Sequence, residues 1–375
     1  MSVGEKKASK HSKASEESGF NVRNGLLLAI PIALAMRWLD ASPSLVFLVS
    51  LVAIYPLAEI MAEATEALSA TLGSTVGGLL NASLNNAPEI IIAMFALKNG
   101  LGEVVKASIT GSILIELLFG LGLAMFVGGL KHGTQRFDEE TIQIHAGLLT
   151  LCGFGLIIPA VFSLSSPKEE LELSWEICVV LLLIYLTSLG ITLFRKVEAE
   201  PGDVSVMPEV GLGEAPAEVW SRGKSLTVLT VSTLVLAVMS EVVTDALEPT
   251  SAQLGLTPIF SGIILLAGAG GIGEIISAVR FAGNNKMDLA IEASIGSSIQ
   301  MILLAVPLLV FSAPLLGVKM NLLFTSVEVM SIVLTVVVIR TITNDGRSTW
   351  LEGLMLLAVY FMLAIGFYYL PVSAA

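Results

Sequence analysis

The sequence predicts an all-α polytopic membrane protein of about eleven transmembrane helices, built as one extra N-terminal helix plus two inverted-topology five-helix repeats. Three observations predict it. The 375 residues are 54% hydrophobic and only 14% charged, against roughly 25% charged in soluble domains. Apolar stretches long enough to cross a core of about 30 Å recur along the whole chain. An acidic motif around Glu89 returns around Glu274 with the same spacing to its neighbours.

Taken in order, residues 1–23 read as a disordered cytoplasmic tail, polar and without an apolar core of their own. A cleaved signal is the rival there, resting on the short "GLLLAIPIALAM" and its "ALA". The extra span is expected at 24–39. The first repeat, 44–194, holds spans at 44–70, 75–97, 103–129, 140–163 and 175–194. Residues 195–224, "RKVEAEPGDVSVMPEVGLGEAPAEVWSRGK", form an acidic linker rich in Pro and Gly. The second repeat, 225–371, holds spans at 225–247, 258–283, 287–312, 321–340 and 350–371.

Orientation follows from the basic residues, because cytoplasmic loops are enriched in them. With the N-terminus inside, fifteen of the twenty Lys and Arg residues fall inside, and Arg37, Lys98, Lys106, Lys168 and Lys319 fall outside. The C-terminus is then on the opposite side. Trp38, Trp175 and Trp350 fall at span ends, where interfacial aromatics belong. The net charge of −12 comes from short acidic patches and the linker, which points to cations and away from nucleic acid. Cys152 and Cys178 stand alone in apolar segments, so neither a disulfide framework nor a thiolate metal site is expected.

The repeat is visible residue by residue. Glu89 lies 22 residues before Gly111, and Glu274 lies 22 before Gly296. "PEIIIA" pairs with "GEIISA", Asn99 with Asn284, Glu103 with Asp288, and each "GS" with the other. Upstream, Glu59, Glu63 and Glu66 follow i, i+4, i+7, as do Glu241, Asp245 and Glu248. The two glutamates sit five spans apart. An odd interval inverts the second copy, the arrangement of secondary transporters with a site at the midplane.

Pro88 and Gly273, each just before a central glutamate, weaken a helix. Unwound backbone at membrane depth is tolerated only where it is buried in protein or lines a cavity, and intramembrane carboxylates mark ion pathways. Close helix approach is the plainer reading of "GAGGIGE". Around Glu89 and Glu274 the candidate ligands are all oxygen donors: Asn81, Ser83, Asn85, Asn86, Ser112, Glu116, Glu292, Ser297, Ser298 and Gln300. Hard oxygens suit Ca²⁺, or Mn²⁺ and Mg²⁺, whereas Zn²⁺ and copper call for Cys or His clusters. His11, His132 and His145 form no cluster, and His145 reads as a packed residue. Glu59, Glu63, Glu241, Asp245 and Glu292 are expected along the access path, with solvated span ends as the plainer alternative.

Two ionised carboxylates facing each other at low dielectric need a cation or protons. Glu89 and Glu274 are therefore expected to carry protons on one leg of a cycle and Ca²⁺ on the other. No cofactor is expected beyond the transported Ca²⁺ and H⁺; the expected partners are those ions and the lipid bilayer, with no nucleic acid, and the sequence leaves the oligomeric state open. Neither H-E-x-x-H nor G-x-S-x-G occurs, so no enzyme is expected.

"GGLLNASLNNAPEIIIA" with "VVKASITGSIL", and "NNKMDLAIEASIGSSIQMILLAVPLLV", resemble the two alpha-repeat motifs of calcium/proton exchangers, within the calcium/cation antiporter superfamily. The resemblance covers nearly all of residues 44–371. It implies that Glu89 and Glu274 are the central cation ligands and proton carriers, that Ser112 and Gln300 line the site, and that 195–224 matches the family's acidic cytoplasmic connection. Departures stand out. Where Gly-Asn is usual ahead of each glutamate, this chain has Asn85-Asn86 and Gly270-Gly271, and Glu116 and Glu292 replace uncharged residues. A Na⁺-coupled exchanger of the same fold and a divalent-cation channel remain as alternatives.

Overall fold

The computed structural model describes residues 23–72, 74–163, 170–195 and 220–371. The expected tail and most of the 195–224 linker lie outside the described residues.

Helices dominate. α1 is Ala29–Trp38, α2 Pro43–Leu72, α3 Ser74–Leu84 and α4 Ala87–Lys98. α5 runs Gly102–His132, followed by β1 (Gln135–Arg136), α6 (Glu139–Ser163) and α7 (Glu170–Arg195). α8 spans Arg222–Leu254, α9 Pro258–Gly270, α10 Ile272–Gly283 and α11 Met287–Leu316. α12 (Ser326–Ile342), β2 (Arg347–Ser348) and α13 (Trp350–Tyr368) complete the chain. Seven of these helices are long and apolar enough to cross a membrane, or eight if the bent α9–α10 pair counts as one span. The chain is an integral membrane protein.

Local chemistry sets the ends. Pro43 and Pro258 open α2 and α9, where the missing N–H is no loss. Ser221, Thr257, Thr325 and Thr349 cap α8, α9, α12 and α13 by accepting a backbone N–H, and the last two form reciprocal boxes with Glu328 and Glu352. The Thr325 cap corrects one boundary. A span expected from 321 begins as helix only at Ser326, because Thr325 takes the extended geometry of a cap.

Two spans are broken. The 75–97 segment divides at Asn85-Asn86, and the 258–283 segment bends by 59° at Gly271. Each break falls just ahead of the helix-weakening residue beside a central glutamate. A two-residue antiparallel ladder pairs Gln135 with Ser348 and Arg136 with Arg347, a correction to the all-α expectation. Loops linking helices of different halves can pair where their extended residues meet.

α2 and α8, the long helices of the two halves, pack along each other. α5 and α11 are the most enclosed, with 72% and 67% of their apolar windows buried, against 28% for α13. They form the middle of the bundle. α6, α7, α8, α12 and α13 turn residues such as Phe154, Leu183, Leu234, Leu334 and Phe361 outward, as helices solvated by lipid must. α5 crosses α9 at Gly111 and Gly262, where no side chain keeps the backbones apart. Wide π-type turns interrupt α5 at Ile115–Gly120, α9 at Ser261–Leu266, and α11 at Glu292–Gly296 and Met301–Ala305. Such turns concentrate at functional positions.

Candidate cation-binding site

The two helix breaks aim their following helices inward. Glu89 lies in the first turn of α4 and Glu274 in the first turn of α10, so each carboxylate sits at the positive end of a helix dipole. Glu89 is buried, and neither of its oxygens is hydrogen-bonded to another described residue. Its side chain lies on the backbone of Gly270. A β-carbon there would stand 2.8 Å from Glu89 Cγ and 3.2 Å from Oε1. Gly270, the position at which glycine is usual in the family pattern, thus leaves the space that Glu89 fills.

Glu116, inside the π-type turn of α5, is 1% exposed. Its Oε2 accepts a hydrogen bond of 2.6 Å from Ser298 Oγ of α11, and Ser297 lies alongside. Glu274 is within electrostatic reach of both Glu89 and Glu116. Three carboxylates from three helices therefore share one low-dielectric region. Uncompensated, each would cost several kcal/mol to keep ionised there.

The polar surround is shared between the halves. Ser297 Oγ donates to Asn86 Oδ1 at 2.7 Å, and Asn86 Nδ2 donates to the Ser297 carbonyl at 3.4 Å. This reciprocal pair ties the first helix break to α11. Ser112 joins Glu89, Ser108, Ala267, Gly270 and Met301 around a cavity of about 20 Å³, room for a water-sized particle. Gln300 is fully buried with neither amide atom hydrogen-bonded among the described residues.

One open vestibule of about 220 Å³ leads to Glu274. Tyr55, Glu59, Glu66, Asn81, Asn85, Ser277, Arg280 and Glu292 are among its lining residues. A basin of about 640 Å³ on the opposite face is lined by Glu103, Lys106, Glu170, Lys319 and Asn321 among others, and by none of the three central glutamates.

Not every expected residue joins the site. Ser83 lies beside Tyr185 of α7 instead. Glu63 is ion-paired with Arg23. Asp245 pairs with Arg37 at 2.6 Å and accepts from Asn99 Nδ2 at 2.9 Å, at the other end of the bundle. Glu241 is half-buried on α8 and outside the vestibule lining. Of the five expected on the access path, Glu59 and Glu292 line the vestibule. Arg280 and Tyr55 also line the vestibule, and no motif in the sequence marks either as a site residue. Their only signal was position, Arg280 six residues after Glu274 and Tyr55 one turn before Glu59. His145 is wholly buried in α6, and Cys152 and Cys178 are buried free thiols.

What the arrangement can do follows from its donor set. Carboxylates, hydroxyls, amides and broken-helix carbonyls are hard oxygen donors suited to Ca²⁺. Among the described residues, however, no three His, Cys, Asp or Glu side chains converge as a metal-holding group. The glutamates stand near one another without being closed into a chelate.

The model of the sodium/calcium exchanger protein family matches residues 42–194 and 224–369. The Ca(2+)/H(+) antiporter of Aphanothece halophytica is 37% identical over 367 residues, covering 93% of this chain and 96% of that one. The Ca(2+)/H(+) antiporter ChaA of Bacillus subtilis is 37% identical over 351 residues, with 93% and 98% covered. The solved structure of native YfkE superposes with a TM-score of 0.79 at 35% identity, covering 93% of this chain and 100% of that one. Motifs, spacing and these likenesses agree over almost the whole sequence: the chain belongs to the sodium/calcium exchanger protein family, in its calcium/proton exchanger branch.

Proposed function

We propose that the protein is a secondary antiporter that exchanges Ca²⁺ for protons by alternating access. The observation that carries this reading is the burial of Glu89, Glu116 and Glu274 within electrostatic reach of one another, Glu89 and Glu274 each just behind a helix break, with a vestibule leading to Glu274. Relatives named as Ca(2+)/H(+) antiporters support the same ion pair.

Glu89 and Glu274 carry the exchange. With the vestibule open, Glu274 meets the arriving cation first, and Glu89 leaves the Gly270 surface to complete the oxygen shell with Ser112, Asn86 and helix-end carbonyls. An emptied, ionised cluster resists occlusion, since buried charge without a partner is strongly disfavoured. Either Ca²⁺ or protons must therefore accompany the passage. Glu116, accepting a hydrogen bond from Ser298 Oγ, adds a third carboxyl beside the pair. Gln300 and Ser297 turn toward the ion in the occluded state.

The eleven-span count, the inverted five-helix repeats and an N-terminus inside with the C-terminus opposite belong to the same proposal. The matching breaks before Glu89 and Glu274, five segments apart, support it. In that topology the vestibule faces the cytoplasm.

The test is Ca²⁺ uptake into vesicles driven by a pH gradient, compared with a Na⁺ gradient. Uptake should follow the pH gradient, and Glu89→Gln and Glu274→Gln should each abolish it while preserving the fold. Uptake driven by Na⁺ alone would favour the Na⁺-coupled alternative, and single-channel currents would favour a channel. Exchange retained in both variants would overturn the assigned roles.

A further inference from the structure

The vestibule lining holds four acids, Glu59, Glu66, Glu274 and Glu292, and a single basic residue, Arg280. Arg280 projects from α10 six residues beyond Glu274, about 9 Å along the helix toward the open end. Its Nη2 lies 3.9 Å from Glu59 Oε1 of α2, with the two side chains 63% and 27% exposed. The Tyr55 hydroxyl faces the same pair. An exposed pair at this distance contributes little to stability. The same charge inside a funnel of carboxylates acts on any cation that enters.

We infer that Arg280 is a tethered competitor for the transported divalent cation: it occupies Glu59 at the mouth of the vestibule and sets the apparent Ca²⁺ affinity from that face. This rests on the antiport reading and adds a specificity-determining residue outside the central cluster. Arriving Ca²⁺ displaces the guanidinium from Glu59, then moves inward to Glu274 against its repulsion. Protons need no such displacement, because they can be handed along carboxylates and hydroxyls. Arg280 thus raises the Ca²⁺ concentration needed to load the site without touching the ion in its bound position.

A unit charge about 9 Å from a divalent ion in water-like dielectric changes its occupancy roughly three- to fivefold. The experiment is pH-gradient-driven Ca²⁺ uptake by everted vesicles containing the parent, R280Q, R280K or E59Q, at low and high KCl. R280Q should lower the half-saturating Ca²⁺ concentration roughly three- to fivefold, with the maximal rate little changed. The difference should shrink at high salt, where the Debye length falls to about 3 Å at 1 M. R280K should track the parent. E59Q, which leaves Arg280 uncompensated, should raise the half-saturating concentration, so the inference stays falsifiable if R280Q fails to fold. An unchanged or higher value in R280Q, a shift insensitive to salt, R280K resembling R280Q, or no effect of E59Q would each overturn it. Should the parent show no exchange at all, the antiport reading fails separately. Isothermal titration of Ca²⁺ into the detergent-solubilised parent and R280Q then decides the role of Arg280, and equal affinities would sink it.

Discussion

Replacing Gly111 by alanine should loosen the crossing that holds the two halves together. A β-carbon at Gly111 would lie 2.3 Å from the Ile263 carbonyl oxygen, 2.6 Å from Ile263 Cα and 2.7 Å from Ala267 Cβ. Carbon atoms rest at about 3.5–4.0 Å, so α9 would have to retreat by roughly 1 Å. Two of the three atoms are backbone, which no rotamer change can move. The contact is reciprocal, since a β-carbon at Gly262 would stand 2.5 Å from the Val104 carbonyl oxygen and 2.6 Å from Ala107 Cβ. Overpacking of this kind costs about 1–3 kcal/mol, against a gain in helix propensity of up to about 1 kcal/mol. A net loss of up to about 2 kcal/mol corresponds, for a chain of this length, to a fall in Tm of up to about 3 °C, read by thermal unfolding in detergent. Gly268→Ala is the control, because nothing lies within 4 Å of its β-carbon. It should leave Tm unchanged or raise it. Exchange should fall in Gly111→Ala, since Ser112 follows directly and Glu116 lies on the same helix. If Gly111→Ala melts with Gly268→Ala, the crossing is not the close contact described.

Two further outcomes are expected. Gly270→Ala puts a methyl 2.8 Å from Glu89 Cγ; the flexible side chain can yield, so Tm should change little while Ca²⁺ uptake drops by at least roughly tenfold, about 1.4 kcal/mol in the site. Asp138, in the loop before α6, accepts from the Thr141 backbone N–H at 2.8 Å, and its hydrogen bonds to Thr141 hold its carboxyl below the usual carboxylate range. A lowered folded-state pKa stabilises above the unfolded value of about 3.9 and is lost as pH falls below it. Asp138→Ala should therefore cost about 1 kcal/mol at pH 7, and the gap between variant and parent should close as pH drops below about 4.

Local residue chemistry is enough to mark where the chain runs as helix, where two of its helices break, and which two glutamates stand behind those breaks. Hydropathy, proline, glycine and cap residues act over a few neighbours, so Pro88, Gly273 and the apolar runs leave their mark in the local string. It also held the repeat, because two copies of one motif keep their spacing. Periodicity shows which residues share a helix face, but not which face meets which neighbour. It takes the packed helices to show that Glu89 rests on Gly270, that Ser298 rather than Ser83 meets the cluster, and that Glu116 is buried against α11. The same holds for the acidic trios. Their spacing was alike, yet Glu59 opens on the vestibule beside Arg280, while Glu63 and Asp245 are engaged by Arg23 and Arg37. A carboxylate's role depends on the charge that packing brings to it, and that charge can come from more than two hundred residues away, as with Arg37 and Asp245.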